Sequence, residues 1–259
     1  MPRANRYYMP GYVWHITHRC HKQEFLLKFN RDKKRWVYWL NEARNKYRLK
    51  ILNYIVTSNH IHLLIVDHIK GAIARSLQLI EGRVGQEYNL RKKREGAFWS
   101  DRYHATIIDT DNYLQECMMY IDLNMVRAGV VSHPEEWIYS GFYELHCRQR
   151  RTYIIDEKLL ISYLGFSKSK IFKKEYPDWI DNTLQKGKLQ RENYWTESIA
   201  VGKESFLDTV KEKLSIRGKN RRVDQVEDSN VLHEPPAVYK TTNISIQNCY
   251  LSGKNSYKL

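Results

Sequence analysis

LKILNYIVTSNHIHLLIV, residues Leu49 to Val66, decides the fold. Leu49 to Val56 and His60 to Val66 are both apolar and β-branched, and the short Thr57-Ser58-Asn59 link between them suits an antiparallel hairpin. Side chains alternate faces along a strand, so His60 and His62 point the same way while Ile61 between them faces the core. Two neutral imidazoles side by side on a rigid strand make half of a divalent-metal site, at positions where an ordinary buried strand would carry Val, Ile or Leu. The pair alone does not establish a metal, because a His-x-His in a strand is also met as a satisfied or solvent-facing pair.

Upstream of the hairpin, Tyr12 to Arg19 alternates like a strand after the turn signal Pro10-Gly11. Asn30 or Asp32 caps a helix reaching Tyr47, in which Trp36, Val37, Leu40, Ala43 and Tyr47 recur at helical spacing. Downstream, Gly71 to Leu90 reads as a second helix, with Ile73, Leu77, Ile80, Val84 and Tyr88 along one side. Tyr103 to Ile108 alternates as a fourth strand, and Asp109 to Asp111 supplies caps for a helix running to about Val126, with Gly129 beyond it. The order βαββαβ, followed by another helix, predicts an α+β fold: a ferredoxin-like antiparallel sheet with helices on one face.

After Trp137 to Ser140 the pattern weakens. Shorter amphipathic stretches near Asp156 to Tyr163, Ser167 to Leu184 and Lys203 to Leu214 predict a small helical C-terminal extension over 146–215. Residues 216–259, dominated by Gly, Asn, Ser, Lys and Arg and interrupted by Pro235-Pro236, read as a disordered basic tail.

The charge balance over 259 residues is 43 Lys plus Arg against 29 Asp plus Glu, a net +14, which exceeds what solubility needs and points to a polyanion. Nineteen Tyr and seven Trp add flat faces on which unpaired bases stack, so single-stranded nucleic acid is favoured over duplex grooves. Cys20, Cys117, Cys147 and Cys249 are scattered without a CxxC pair, which argues against a zinc ribbon or a disulfide framework and fits a reducing cytoplasm. The polar, basic start and the lack of any apolar run near 20 residues make secretion and membrane insertion unexpected.

A partner for the histidines comes from the helix after the fourth strand. Tyr120 and Asn124 are four residues apart and share a face that Glu116 extends, beside a buried stripe of Leu114, Cys117, Met118 and Ile121. A tyrosine attacks phosphodiesters when its proton can leave and a divalent cation polarises the phosphate. His60 and His62 with Asn124 as an oxygen ligand would hold Mg²⁺ or Mn²⁺ with positions left open. Tyr113 is the alternative nucleophile, placed less well for reaching the histidines. Arg91, Lys92, Lys93, Arg94 and Arg102, with Lys70, are candidates for phosphate contact, and Arg217, Lys219, Arg221 and Arg222 for added non-specific affinity. Of His15, His18, His21 and His104, His18 is the one expected nearest the site.

These segments resemble the HUH-type single-tyrosine transposases, and especially the REP-associated tyrosine transposases. Gly11 to Arg19 is similar to their first strand, Tyr54 to Leu64 to the hairpin carrying their HUH motif, Phe98 to Tyr103 to the segment before the last strand, and Tyr120 to Val131 to the tyrosine motif, with Trp137 to Ser140 after it. The resemblance covers residues 5 to 145 with order and spacing intact, and departs at Met125, where the family usually has Pro. It makes 1–145 the catalytic domain and implies Tyr120 as nucleophile forming a 5′-phosphotyrosine link, His60, His62 and Asn124 as metal ligands, and a monomer or homodimer as the working unit. The expected function is a metal-dependent single-stranded DNA endonuclease and strand transferase acting on single-stranded or hairpin DNA. Its rivals are a domesticated nucleic-acid-binding protein that no longer cleaves, and a phosphodiesterase using water in place of Tyr120.

Overall fold

The computed structural model describes residues 8–110, 112–147, 153–187, 189–214, 222–226 and 229–233. Its first six elements are β1 (Val13–Arg19), α1 (Asn30–Tyr47), β2 (Lys50–Val56), β3 (His60–Val66), α2 (Ala72–Lys92) and β4 (His104–Ile108). These strands pair antiparallel in the order β2-β3-β1-β4, the ferredoxin-like arrangement expected of the βαββαβ order. Helices α1 and α2 pack together behind one face of the sheet, where α1 buries Trp36, Leu40 and Ala43.

Register then decides which side chains share the other face. On β1, Arg19 opposes His60, Thr17 opposes His62 and His15 opposes Leu64; on β4, His104 opposes Thr17 and Thr106 opposes His15. Because paired residues point the same way, His60, His62, His15, Thr17, Arg19, His104 and Thr106 all project from the face away from α1 and α2. That face is not left open. The crossover helices share one side as expected, while α3 (Asn112–Asp122) and α4 (Asn124–Arg127) lie over the histidine side. The single helix expected as far as Val126 is divided at Leu123, whose ψ of 1° tilts the following peptide out of the helical ladder.

The C-terminal extension contains the three expected helices as α5 (Glu157–Tyr163), α6 (Ser169–Gln185) and α8 (Glu204–Leu214), with a short α7 (Tyr194–Glu197) and a strand, β5 (Ala200–Gly202), between α6 and α8. Strand β5 pairs parallel with β4, Ile107 opposing Ala200 and Ile108 opposing Val201, so the sheet runs on across the boundary placed at residue 145. The tail expectation is overturned at two places: residues 222–226 and 229–233 form strands β6 (Arg222–Val226) and β7 (Ser229–His233), and β7 pairs with β5. The physical reason is edge satisfaction. Strand β5 exposes a row of unpaired N–H and C=O groups, which the β6–β7 hairpin covers while burying Val231 and Leu232. Neither segment alternates apolar and polar residues, Val223 standing three from Val226 and Val231 next to Leu232, so neither reads as a strand. Arg217, Lys219 and Arg221 lie outside the described residues. No described helix is long and apolar enough to cross a membrane.

One buried acid ties three layers together. Asp122, at the end of α3, accepts from Asn53 Nδ2 of β2 at 3.0 Å and from Tyr176 Oη of α6 at 2.5 Å. Burial pushes its carboxyl up to about 7, against the opposing pull of those two donors. The folded protein therefore holds this proton more tightly than the unfolded chain, and the stability so contributed at acidic pH is lost as pH rises through about 7. Wild type is expected to lose stability relative to Asp122→Asn between about pH 4 and 8 in urea unfolding. A stability difference independent of pH would contradict the raised carboxyl.

Candidate active site

His60 opens β3 and is half-buried; His62 follows on the same face and is buried, with ring centroids 5.0 Å apart. The hairpin turn orients His60 itself. Thr57 Oγ1 donates to the His60 carbonyl at 2.8 Å, so its lone pairs are left to accept from His60 Nδ1 at 2.9 Å, and Asn59 Oδ1 lies 2.7 Å from the same nitrogen. Two acceptors at Nδ1 place the ring proton there and the lone pair on Nε2.

Helix α3 carries the expected partners across. The Tyr120 ring stands edge-on to His62, with centroids 5.8 Å apart, and to His15 at 6.2 Å. The Asn124 amide reaches His62 Nε2 at 3.1 Å and also bonds His60. All four residues expected at the site are thus brought together. Glu116 is exposed one turn before Tyr120, and Tyr113 lies two turns before it. Burial, reinforced by Arg19 and Arg191, lowers His60 to about 3, while burial and the neighbouring His60 and His15 rings hold His62 well below its usual range. Both imidazoles are consequently neutral at physiological pH, the form that donates a lone pair. Among the described residues no group of three or more His, Cys, Asp and Glu side chains could hold a metal ion. Two imidazole nitrogens and an amide oxygen, presented when the Asn124 amide turns over, form an incomplete donor set. It fits an ion such as Mg²⁺ or Mn²⁺ that keeps positions for phosphate and water.

Residues 9–124, which include every one of these groups, match the family model described as transposase, IS200 like. This segment resembles the IS200-like transposases. A protein of Haemophilus influenzae provisionally named a REP-associated tyrosine transposase is 27% identical over 40% of this chain and 69% of its own length. Among solved structures, a REP-associated tyrosine transposase bound to a REP hairpin superposes with a TM-score of 0.44 at 18% identity, covering 55% of this chain and 84% of that one. A provisionally named transposase from Deinococcus radiodurans R1 gives 0.32 at 13% identity, covering 39% of this chain and 82% of that one.

The candidate site also contains groups that carry no motif in the sequence. Arg127 lies over the Tyr120 ring, 4.2 Å from its centroid, and donates to the Tyr120 carbonyl. Arg19 and Arg191 join it in the field acting on both Tyr120 and His60. Burial raises the Tyr120 phenol above its usual value, and these three cations pull it back down. Two of them had a readable signal: Arg19 keeps the parity of His15 and Thr17 along β1, and Arg127 follows Tyr120 and Asn124 at helical spacing. Of the flanking histidines, His15 is the one at the site. His18 has the opposite parity and sits against α2, stacked on Trp99 with Nδ1 2.9 Å from Glu81.

The expected basic cluster stands at the His60 end of the sheet but in the helical layer behind it. Arg91 pairs with Asp32, Arg94 is tied to Asn89, the Ala97 carbonyl and Glu24, and Lys92 lies over Phe29, while Lys93 and Arg102 are exposed. Lys70 lies at the far end, just ahead of α2. If the three arginines facing Tyr120 track the DNA backbone, Arg191→Gln should flatten the log affinity against log salt line for single-stranded DNA by about 0.7, the effect of one lost phosphate contact. Arg91→Gln, which removes a charge already paired with Asp32, should leave that slope nearly unchanged. Equal slopes in both variants, measured by fluorescence anisotropy, would remove the arginine cluster from the DNA path.

Proposed function

We propose that this domain nicks and rejoins single-stranded DNA through a covalent link to Tyr120, with His60, His62 and Asn124 holding one divalent cation, Mg²⁺ or Mn²⁺. The observation that carries the reading is the meeting of Tyr120 and Asn124 on one helical stripe with His60 and His62 on one strand face, at the contacts given above. When bound, the cation supplies Lewis-acid polarisation of the scissile phosphate.

The protein's own residues account for the rest. Tyr120 Oη bonds to phosphorus as the bond to the 3′ oxygen breaks, the phenolic proton passing in net terms to that oxygen, which leaves as a 3′ hydroxyl. The 5′ end stays on Tyr120, and because the ester bond is exchanged rather than hydrolysed, a second 3′ hydroxyl can reverse the step without ATP. Arg127 over the ring and the nearby Arg19 and Arg191 favour the phenolate and offer donors to phosphate oxygens. The +14 net charge and the aromatic content suit a single strand, and a hairpin-forming one accords with the REP-associated name of the Haemophilus relative. The reducing cytoplasm, where Cys20, Cys117 and Cys147 remain thiols, is the proposed setting.

The deciding experiment incubates the protein with a 5′-structured, end-labelled hairpin strand and Mn²⁺, then looks for a labelled adduct surviving denaturation. Tyr120→Phe is expected to abolish the adduct and to slow cleavage by about 10³-fold or more. Cleavage persisting in Tyr120→Phe would transfer the chemistry to water, and tight binding without cleavage by wild type would leave a DNA-binding protein.

A further inference from the structure

His62 differs from His60 in how its ring is held. The His60 tautomer is set inside its own hairpin, by Thr57 and Asn59. His62 has no such local partner: its Nδ1 meets His15 Nε2 at 2.8 Å, and His15 Nδ1 meets the backbone carbonyl of Trp195 at 2.9 Å. His15 is on β1 and Trp195 is in α7, so this chain crosses from the catalytic sheet into the C-terminal extension.

Hydrogen-bonding rules assign each proton in turn. A carbonyl oxygen only accepts, so His15 Nδ1 must carry a proton. His15 is fully buried, stacked on the His62 ring with centroids 5.0 Å apart, and pairs with no carboxylate among the described residues, so a second proton would leave an uncompensated buried charge. Its Nε2 is therefore an acceptor. His62 must then donate from Nδ1, which leaves the lone pair on Nε2, the atom facing Asn124. The carbonyl that starts the relay is free because α7 ends within two residues of Trp195 and leaves its last carbonyls without helical partners. It is also held rigidly: the Trp195 indole is buried and donates to Glu192 at 2.6 Å, and the Ser198 carbonyl, three residues on, accepts from His104 and Thr106 on β4.

We propose that His15 is a positioning residue, and that Trp195 of the extension acts through it to hold His62 in the tautomer whose Nε2 lone pair faces the metal position. The extension thus completes the site from behind the ligands. The consequence for metal affinity rests on the reading of His62 as a ligand; the tautomer assignment does not.

The test separates the two. Long-range ¹H–¹⁵N correlation spectra of the metal-free protein, with histidines assigned by single substitution, should show His15 and His62 both protonated at Nδ1. His15→Phe, which removes donor and acceptor together, should release His62 into a mixture of tautomers and weaken Mn²⁺ binding by calorimetry about 10- to 100-fold. His15→Gln, whose amide can accept from His62 and donate to Trp195, should restore both readouts. Protonation of His62 at Nε2 in wild type overturns the relay, and that spectrum decides even if His15→Phe fails to fold. So does a folded His15→Phe with unchanged tautomer and affinity. A wild-type protein with the expected tautomers that binds no Mn²⁺ supports the relay and overturns the metal site instead.

Discussion

Strand β3 lies between β1 and β2 with its backbone groups taken up by both ladders, so its side chains have only two directions to take. Ile61, Leu63 and Ile65 go to the side of α1 and α2 and are sealed there, and this forces His60 and His62 out on the other side. A shift of register by one residue would bury both imidazoles in the apolar layer and expose three large aliphatic side chains. The apolar packing of one face is thus what aims the polar groups of the other.

The two layers over and under the sheet do different work. Helices α1 and α2 supply core, and the basic side chains of the α2 end are largely spent on Asp32 and Glu24. On the histidine side, α3 is anchored by Asp122 to β2 and α6, which sets Tyr120 and Asn124 over the rings. Arg127 then caps the broken helix and covers the tyrosine at once. The extension closes the remaining edge, adding β5 to the sheet and Trp195 to the site. A region that reads as an appendage is continuous with the β1–β4 sheet because an open strand edge and free helix-end carbonyls both need partners.

What could be read in advance follows the reach of local rules. The hairpin, the βαββαβ order and the pairing of His60 with His62 and of Tyr120 with Asn124 all rest on periods of two or four residues, visible in a single stretch of chain. Strands β6 and β7 escaped because their apolar residues, Val223 with Val226 and Val231 with Leu232, do not alternate. His18 and His15 have opposite parity on β1, and nothing in β1 alone says which of them shares a face with the histidines of β3. Arg91 to Arg94 looked available because sequence shows charge without showing Asp32 and Glu24 beside it.

By itself, then, the amino-acid sequence determined the four-stranded sheet, the two ligand-type histidines, the tyrosine and amide that accompany them, and the resemblance that their order carries. Tertiary structure alone decided that Arg19, Arg127 and Arg191 surround Tyr120, that His15 backs His62, and that a carbonyl 180 residues from His15 in the chain sits at the end of the relay. The physical reason is that periodicity fixes which face of its own element a side chain takes. Which faces meet depends on strand order and register, and those are settled by the packing of the whole chain.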